Sequence, residues 1–551
     1  MAAACPDDIP AVAANLLRVA IFGTHPKQFN GYSKVVYELC KAVRPSHGIE
    51  LHVFGFQNFY NHPGHRKDVP ASVTIYDAFA NETPKAQGFG VNLVKEYVTR
   101  VRPDVCIIFN DLMVLTSVLN ELKDAPNRKE FKVIAYIDQV YRASKKDFVA
   151  LVNQHADAAI AFTPEWRDCI LSQGLKLPCY FLPHGFNPTT YFPVPRALAR
   201  RFFGLQSDDF LVLNLNRNQP RKRWDTCLQA FAEVVKRLPD APIKLVVGTE
   251  LKGAWDIMDV FERELKKRGV PVEKAAERIV VPGHPQMLTD EETNILYNIA
   301  DIGINTCDGE GFGLCNFEQA AIGIPQVIPR VGGFVHIFDE EPAIATLVEP
   351  MLSIYVDSAR DGVGGEAQLS HPNDYADAIC KLYAARGSRD DTGKGSASLL
   401  ARFGWDTIAA KLSDIVHEVC PARAPAAAAA AAAALPCAER ARDNVPLNDA
   451  LLLLTGSRPS LPVHHPPPTQ TPTPPAPPLT PLASLPVHNP PPTPAPPLTP
   501  PAPPPTPAPP STSAPPPPPP TPSSAAQKTP TPEEIDELRQ LRERINAILG
   551  A

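Results

Sequence analysis

At 551 residues the chain is too long for a single core, and 53 basic against 59 acidic side chains leave a formal net charge of −6, which disfavours nucleic-acid binding. Eleven cysteines are scattered without close pairs or metal-ligand spacing, so reduced thiols are expected instead of a disulfide framework. No apolar run reaches membrane-spanning length and Met1 to Ala14 has no basic region ahead of an apolar core, so the chain reads as soluble and cytoplasmic.

In chain order, Leu17-Arg18-Val19-Ala20-Ile21-Phe22-Gly23 is a short apolar run of buried-strand type. It leads through Asn30-Gly31-Tyr32-Ser33 into an amphipathic helix carrying Val35, Val36, Leu39 and Cys40 on its apolar face. Similar runs follow at Ile49 to Phe54, Val105 to Phe109, Val133 to Tyr136, Ala158 to Phe162 and Cys179 to Leu182. A second series opens at Phe210 to Leu215 and continues at Ile243 to Gly248, Ile279 to Gly283, Ile302 to Asn305 and Pro325 to Ile328. Strands alternating with helical patterns predict parallel sheets covered on both faces, in two α/β halves spanning residues 16–195 and 196–420. Ligands of such sheets lie outside the carboxyl ends of the strands, so the cleft between the halves is the expected site.

Beyond residue 420 the composition changes. Residues 421–530 form an Ala/Pro-rich segment in which close to half of residues 459–530 are proline, and it is expected to be a disordered linker that favours extended polyproline II. Ser460-Leu461-Pro462-Val463-His464 returns as Ser484-Leu485-Pro486-Val487-His488, a repeat that fits coding-sequence slippage as well as a binding site. Residues 531–551 read as a short helix: Thr531 caps it, Pro532 opens it and Glu534 completes a capping box. Ile535, Leu538, Leu541, Ile545, Ile548 and Leu549 share one stripe, suited to self-association or to docking on a partner.

Most of the chemistry sits in Asp308-Gly309-Glu310-Gly311-Phe312-Gly313-Leu314-Cys315-Asn316-Phe317-Glu318. A glycine-rich turn enters a helix expected from about Gly313 to Ile322, and the unpaired N–H groups at the positive end of that helix suit a diphosphate. Glu310 in the turn and Glu318 further in could accept hydrogen bonds from hydroxyls at two places on one elongated ligand, such as a sugar and a ribose joined by a pyrophosphate. Taken alone, a glutamate pair at this spacing is usually just a solvated helix face. Asn216-Arg217-Asn218-Gln219-Pro220-Arg221-Lys222-Arg223 follows directly on a strand, and its cations suit a diphosphate leaving group or simply a solvated basic turn.

The run through Glu-Gly-Phe-Gly-Leu, Phe317-Glu318-Gln319-Ala320-Ala321 and Gly323-Ile324-Pro325-Gln326-Val327-Ile328 resembles the E-x7-E signature of the family-4 retaining glycosyltransferases, which share the GT-B fold. The resemblance covers roughly residues 16 to 420. It implies two doubly wound Rossmann-like domains facing across a cleft, residues 16–195 binding the acceptor and residues 196–420 the nucleotide-sugar donor. A hexose would pass from a nucleotide diphosphate sugar to a hydroxyl of a glycan, lipid or protein acceptor with retained anomeric configuration. Arg217 and Lys222, with the N–H groups near Gly311-Gly313, would hold the diphosphate, Glu310 the sugar and Glu318 the ribose. Gly31, Gly311, Phe312, Gly313 and Leu314 complete the implied donor site, with no metal and no cofactor.

Leu182-Pro183-His184-Gly185-Phe186-Asn187 resembles the family's link between halves, with His184 expected as a structural turn residue, and Phe403-Gly404-Trp405-Asp406 resembles its entry to a last helix that packs back on the first half. Many members carry a His-Asp pair where this chain has Ile137-Asp138; Asp138 is left to contact the sugar or the acceptor hydroxyl, or to cap a helix. Arg221 and Arg223 are expected to face water, and His25 to be exposed. The alternative reading is a catalytically inactive GT-B scaffold that binds partners through the Pro-rich tail and terminal helix.

Overall fold

The computed structural model describes residues 16–59, 65–85, 87–206, 208–274, 276–282, 288–356, 364–386 and 397–421. The linker expected at 421–530, apart from Pro421, and the helix expected at 531–551 lie outside them.

The apolar runs become strands because both of their faces are covered. In the first half β1 (Leu17–Thr24), β2 (Ile49–Phe56), β3 (Thr74–Asp77), β4 (Val105–Asp111), β5 (Lys132–Asp138), β6 (Ala158–Ala161) and β7 (Cys179–Phe181) form a parallel sheet ordered β3-β2-β1-β4-β5-β6-β7. In the second, β8 (Phe210–Asn214), β9 (Ile243–Val247), β10 (Ile279–Val280), β11 (Ile302–Ile304), β12 (Gln326–Pro329) and β13 (Ala345–Val348) are ordered β10-β9-β8-β11-β12-β13, again all parallel. Strand order reverses beside β1 and β4 in one sheet and beside β8 and β11 in the other. A crevice opens at the carboxyl ends of such a pair, which is where ligands of doubly wound sheets bind.

Three apolar layers hold this arrangement. One lies on the outer face of the first sheet, where Ile137 packs with Ala20, Phe22 and Val133, and one on the outer face of the second, around Trp224, Phe231 and Phe261. The third runs from Val19 and Phe109 through Leu182 and Phe186 to Phe317, Phe403 and Trp405, so the halves share a continuous core. Each fully buried side chain of this kind contributes roughly 1.5–3 kcal/mol.

The last helix, Trp405–Val419, returns to the first half as the resemblance implied: Ser413 Oγ donates to His47 O at 2.9 Å and Phe186 N to Phe403 O at 2.6 Å. Gly185 is required at this crossing, since a Cβ there would stand 2.5 Å from the Trp405 ring. An antiparallel hairpin, β14 (Pro350–Val356) with β15 (Gly365–Ser370), packs Val356 and Ala367 on Tyr141. Through Gln368 N, which donates to Asp308 O at 2.8 Å, it braces the loop that carries Glu310. No helix among the described residues is long and apolar enough to cross a membrane, and the nine described cysteines are free thiols.

Candidate active site

Four chain segments converge at the carboxyl ends of the reversing strands. After β1 the chain enters the helix Gly31–Ala42 through a capping box: Asn30 Oδ1 accepts from Ser33 N at 2.9 Å, and Asn30 N donates to Ser33 Oγ at 3.2 Å. Gly31 opens this helix against the second half, where a Cβ would lie 3.3 Å from Leu314 Cδ1. After β11, residues 305–313 lead into the helix Leu314–Ala321, one residue later than the sequence suggested because Gly313 sits at φ 89°, outside the helix. A side chain at 313 would also meet Phe334, and one at 311 would stand 2.2 Å from Asp138 Oδ1.

The loop after β8 delivers the cations. Lys222 pairs with Glu310 Oε2, and Arg221 Nη1 donates to Glu310 Oε1 at 3.2 Å and to Gly309 O at 2.6 Å. Glu310 is buried. Burial alone would raise its pKa, but Lys222 and Arg221 outweigh that and hold it at about 2. Arg221 therefore does not face water as expected; its partner lies 89 residues away and was invisible in the local sequence. Arg223 also departs from that expectation, pairing with Asp225 at 2.6 Å and lying 3.7 Å from Asp308. Arg217 lines the cleft with its side chain reachable from solvent, and its own ionisation is lowered by burial of its surroundings and by Arg221 beside it.

Gly31, Phe312, Gly313 and Leu314 line the same cleft as Arg217, Lys222, Glu310 and Asp138. Gly311 abuts Asp138 and Phe162 and is tied to the first half by Trp166 Nε1, which donates to Gly311 O at 2.9 Å. Glu318 is placed differently. Its oxygens accept from Lys34 Nζ at 3.0 and 2.8 Å, and Oε2 also accepts from Tyr297 OH at 2.8 Å. It is buried behind Lys34 and Tyr297, which line the cleft in its place.

Asp138 ends β5. Its Oδ2 accepts from Tyr32 OH at 2.5 Å, and Oδ1 is buried without a hydrogen-bond partner. Among the described residues no backbone N–H reaches either oxygen, which sets aside the helix-capping reading. Burial raises this carboxyl to about 6 against the opposing pull of Tyr32 and Arg221. His184 is buried among Phe162 (centroids 4.4 Å apart), Phe312 (4.8 Å) and Phe109 (5.8 Å), and burial lowers it to about 3, so it is neutral and part of the packing. His25 is buried, not exposed: its Nδ1 accepts from Lys27 N at 3.2 Å, and burial lowers it to about 4.

Sequence reasoning missed the ties across the cleft. Arg66 forks onto Asp290 at 2.8 and 2.9 Å and donates to Ser33 Oγ at 2.9 Å, while Tyr141 OH donates to Asp308 Oδ1 at 2.9 Å. Among the described residues no group of three or more His, Cys, Asp or Glu side chains is placed to hold a metal ion.

Comparison with known proteins agrees with this geometry. Residues 210–384 match the family model for glycosyl transferases group 1. A D-inositol 3-phosphate glycosyltransferase 2 of Catenulispora acidiphila is 31% identical over 236 residues, covering 42% of this chain and 48% of that protein. A mannosylfructose-phosphate synthase of Agrobacterium fabrum is 26% identical over 219 residues, covering 36% and 46%. The chain thus spans about half the length of the curated relatives it matches. In fold, it resembles a sucrose-phosphate synthase of Thermosynechococcus elongatus with TM-score 0.55, at 18% identity over 74% of this chain and all of that one. It also resembles HepE of Anabaena in complex with UDP-glucose, with TM-score 0.53 at 15% identity over 73% and 100%. The fold is GT-B, two parallel-sheet α/β domains enclosing a cleft. Within that fold, residues 210–384 match a glycosyl transferases group 1 domain, and the chain is similar to glycosyltransferases over part of its length.

Proposed function

We propose that the protein is a retaining hexosyltransferase, moving a hexose from a nucleotide diphosphate sugar to an acceptor hydroxyl. The observation that carries this reading is the convergence of Arg217, Arg221 and Lys222 with the Gly311-Gly313 turn and the start of the helix Leu314–Ala321 around one cleft. Three cations and a helix terminus concentrate positive potential where a diphosphate would depart. Among the described residues the Arg217 side chain makes no hydrogen bond, so its donors are available to phosphate oxygens. Glu310, kept anionic by its two cations, offers acceptors to sugar hydroxyls beside that diphosphate.

Retention follows from same-face attack, with the departing phosphate helping to take the acceptor proton. The unpartnered Oδ1 of Asp138, buried against Gly311 on the same wall, becomes a second acceptor for a substrate hydroxyl only once the Gly311 turn shifts. Glu318 reaches the ribose in this reading only once Lys34 or Tyr297 gives way. Neutralisation by protein cations, without metal or cofactor, belongs to the same proposal. Relatives are named for inositol 3-phosphate and for mannosylfructose phosphate, and one structural neighbour holds UDP-glucose. These names support a nucleotide-sugar donor here and make phosphorylated acceptors the first to try.

The test is proton NMR of the full chain incubated with UDP-, GDP- and ADP-hexoses and a panel of monosaccharides, sugar phosphates and inositol phosphates. A product whose new linkage keeps the donor's anomeric configuration supports the reading. A product with the opposite configuration removes retention while leaving transfer.

A further inference from the structure

Tyr32 lines the cleft beside Asp138, and the transferase reading leaves it without a task. It stands at the second position of the helix Gly31–Ala42, directly after the glycine that meets Leu314. Its ring is edge-on to Phe109 with centroids 5.4 Å apart, and it lines the cleft. Its hydroxyl reaches across to the second layer of the wall, giving Asp138 Oδ2 a hydrogen bond of 2.5 Å.

That bond is the one that fixes this carboxylate. Oδ1 has no partner and lies against Gly311, where any β-carbon would collide with it. The neighbouring strand residue cannot help. Ile137 points to the opposite face of the sheet, into the outer core with Phe22, so alternation along β5 keeps position 137 out of the cleft. A polar tip next to Asp138 must come from another element, and Tyr32 supplies it.

We propose, resting on the transferase reading, that Tyr32 is a positioning residue: its phenol holds the Asp138 carboxylate in the cleft wall so that the unpartnered Oδ1, buried against Gly311, accepts a hydrogen bond from a substrate hydroxyl when the Gly311 turn shifts. The charged and titratable groups around Asp138 are Tyr32 on the first helix, Asp111 at the end of β4, Arg221 in the loop after β8 and Glu310 in the loop after β11. Burial, Glu310 and Asp111 favour the protonated acid, whereas Tyr32 and Arg221 favour the carboxylate. Tyr32 itself stays a donor, because burial and Asp138 both raise its pKa and keep the phenol protonated. Removing only the phenol oxygen takes away one of the two groups that keep Asp138 ionised near neutrality.

The experiment is Tyr32→Phe in the full chain, which keeps the ring against Phe109. Two readouts are needed. The first is the 13C resonance of Asp138 in protein labelled at aspartate carboxyls, assigned by its loss in Asp138→Asn. Its midpoint near 6 should rise in Tyr32→Phe, and an unmoved midpoint overturns the proposal whether or not a substrate is known. The second is the pH profile of turnover with whichever nucleotide sugar the wild type uses. The acid limb should move to higher pH, with on the order of tenfold loss at pH 6 that recovers above pH 8, while affinity for the matching nucleoside diphosphate stays unchanged. A change in KM for the donor alone assigns the hydroxyl to the donor sugar, and a change for the acceptor alone assigns it to the acceptor. A uniform loss at all pH values with a lowered Tm marks Tyr32 as structural and overturns the proposal. A wild type inert with every donor, with the midpoint still shifting, removes the substrate hydroxyl along with the transferase reading and leaves a carboxylate clamp without that role.

Discussion

Lys222 and Glu310 form an ion pair that joins the loop after β8 to the loop after β11, with Arg221 holding the other carboxylate oxygen at 3.2 Å. The pair ties the cations that face the cleft to the acid that sits between them and the first half. It also fixes the charge state of Glu310, whose carboxyl is held at about 2 and so stays ionised through any physiological pH.

The sign of that shift makes a stability prediction. The folded value lies below the unfolded value of 4.5, so the stabilisation is complete above about pH 4.5 and is lost as pH falls through about 2. At neutral pH it is worth about 3 kcal/mol for this buried group. Urea melts of wild type and Glu310→Gln should therefore differ most above pH 5 and converge towards pH 2. A gap that widens on acidification contradicts the assignment.

Arg217 predicts a separation of binding from stability. Because its side chain makes no hydrogen bond or ion pair among the described residues, Arg217→Ala should leave Tm within about a degree of wild type while weakening binding of a nucleoside diphosphate by roughly 10- to 100-fold. Arg221→Ala, which strips Gly309 and Glu310 of a donor, should lower Tm as well as affinity. Calorimetric titration and thermal melts of the two variants distinguish these outcomes.

The Arg66 fork on Asp290 is a buried pair between the two halves. Arg66→Met leaves Asp290 buried and unpaired and should cost about 3–5 kcal/mol, whereas Arg66→Met with Asp290→Leu should recover much of that loss. Denaturant midpoints of the single and double variants test this. An additive double variant would mean the two side chains are not coupled.

Gly311→Ala probes the close approach of the two domains. Its β-carbon would fall 2.2 Å from Asp138 Oδ1, so the turn must back away from β5. Turnover should fall by at least 100-fold, with a loss of stability smaller than that of Gly313→Ala, which combines φ 89° with a clash on Phe334. Equal stability losses for the two would contradict the assigned contacts.

The doubly wound halves were legible because Leu17 to Gly23 or Ile243 to Gly248 are apolar runs whose two buried faces leave no polar alternation. Short β3 and the half-exposed β14 and β15 carry no such run, and β13, Ala345–Val348, is too short and too mixed to announce itself. The glycine turn and Glu310 were readable as one local motif. The partners that decide what each charge does were not: Glu318 is held by Lys34 from 284 residues away, and Asp138 by Tyr32 from 106. Tyr32 did leave a trace, an aromatic hydroxyl directly after the glycine of a cleft-facing loop, but only the fold shows that it points at Asp138.

The most direct test of the central claim is nucleotide release by the purified full chain from UDP-, GDP- and ADP-sugars, measured with wild type and Glu310→Ala. Release from one donor class that falls by two or more orders of magnitude in the variant is the predicted result. Folded wild-type protein that releases nucleotide from none of them, or a Glu310→Ala protein as active as wild type, would contradict it and favour a scaffold built on the same fold.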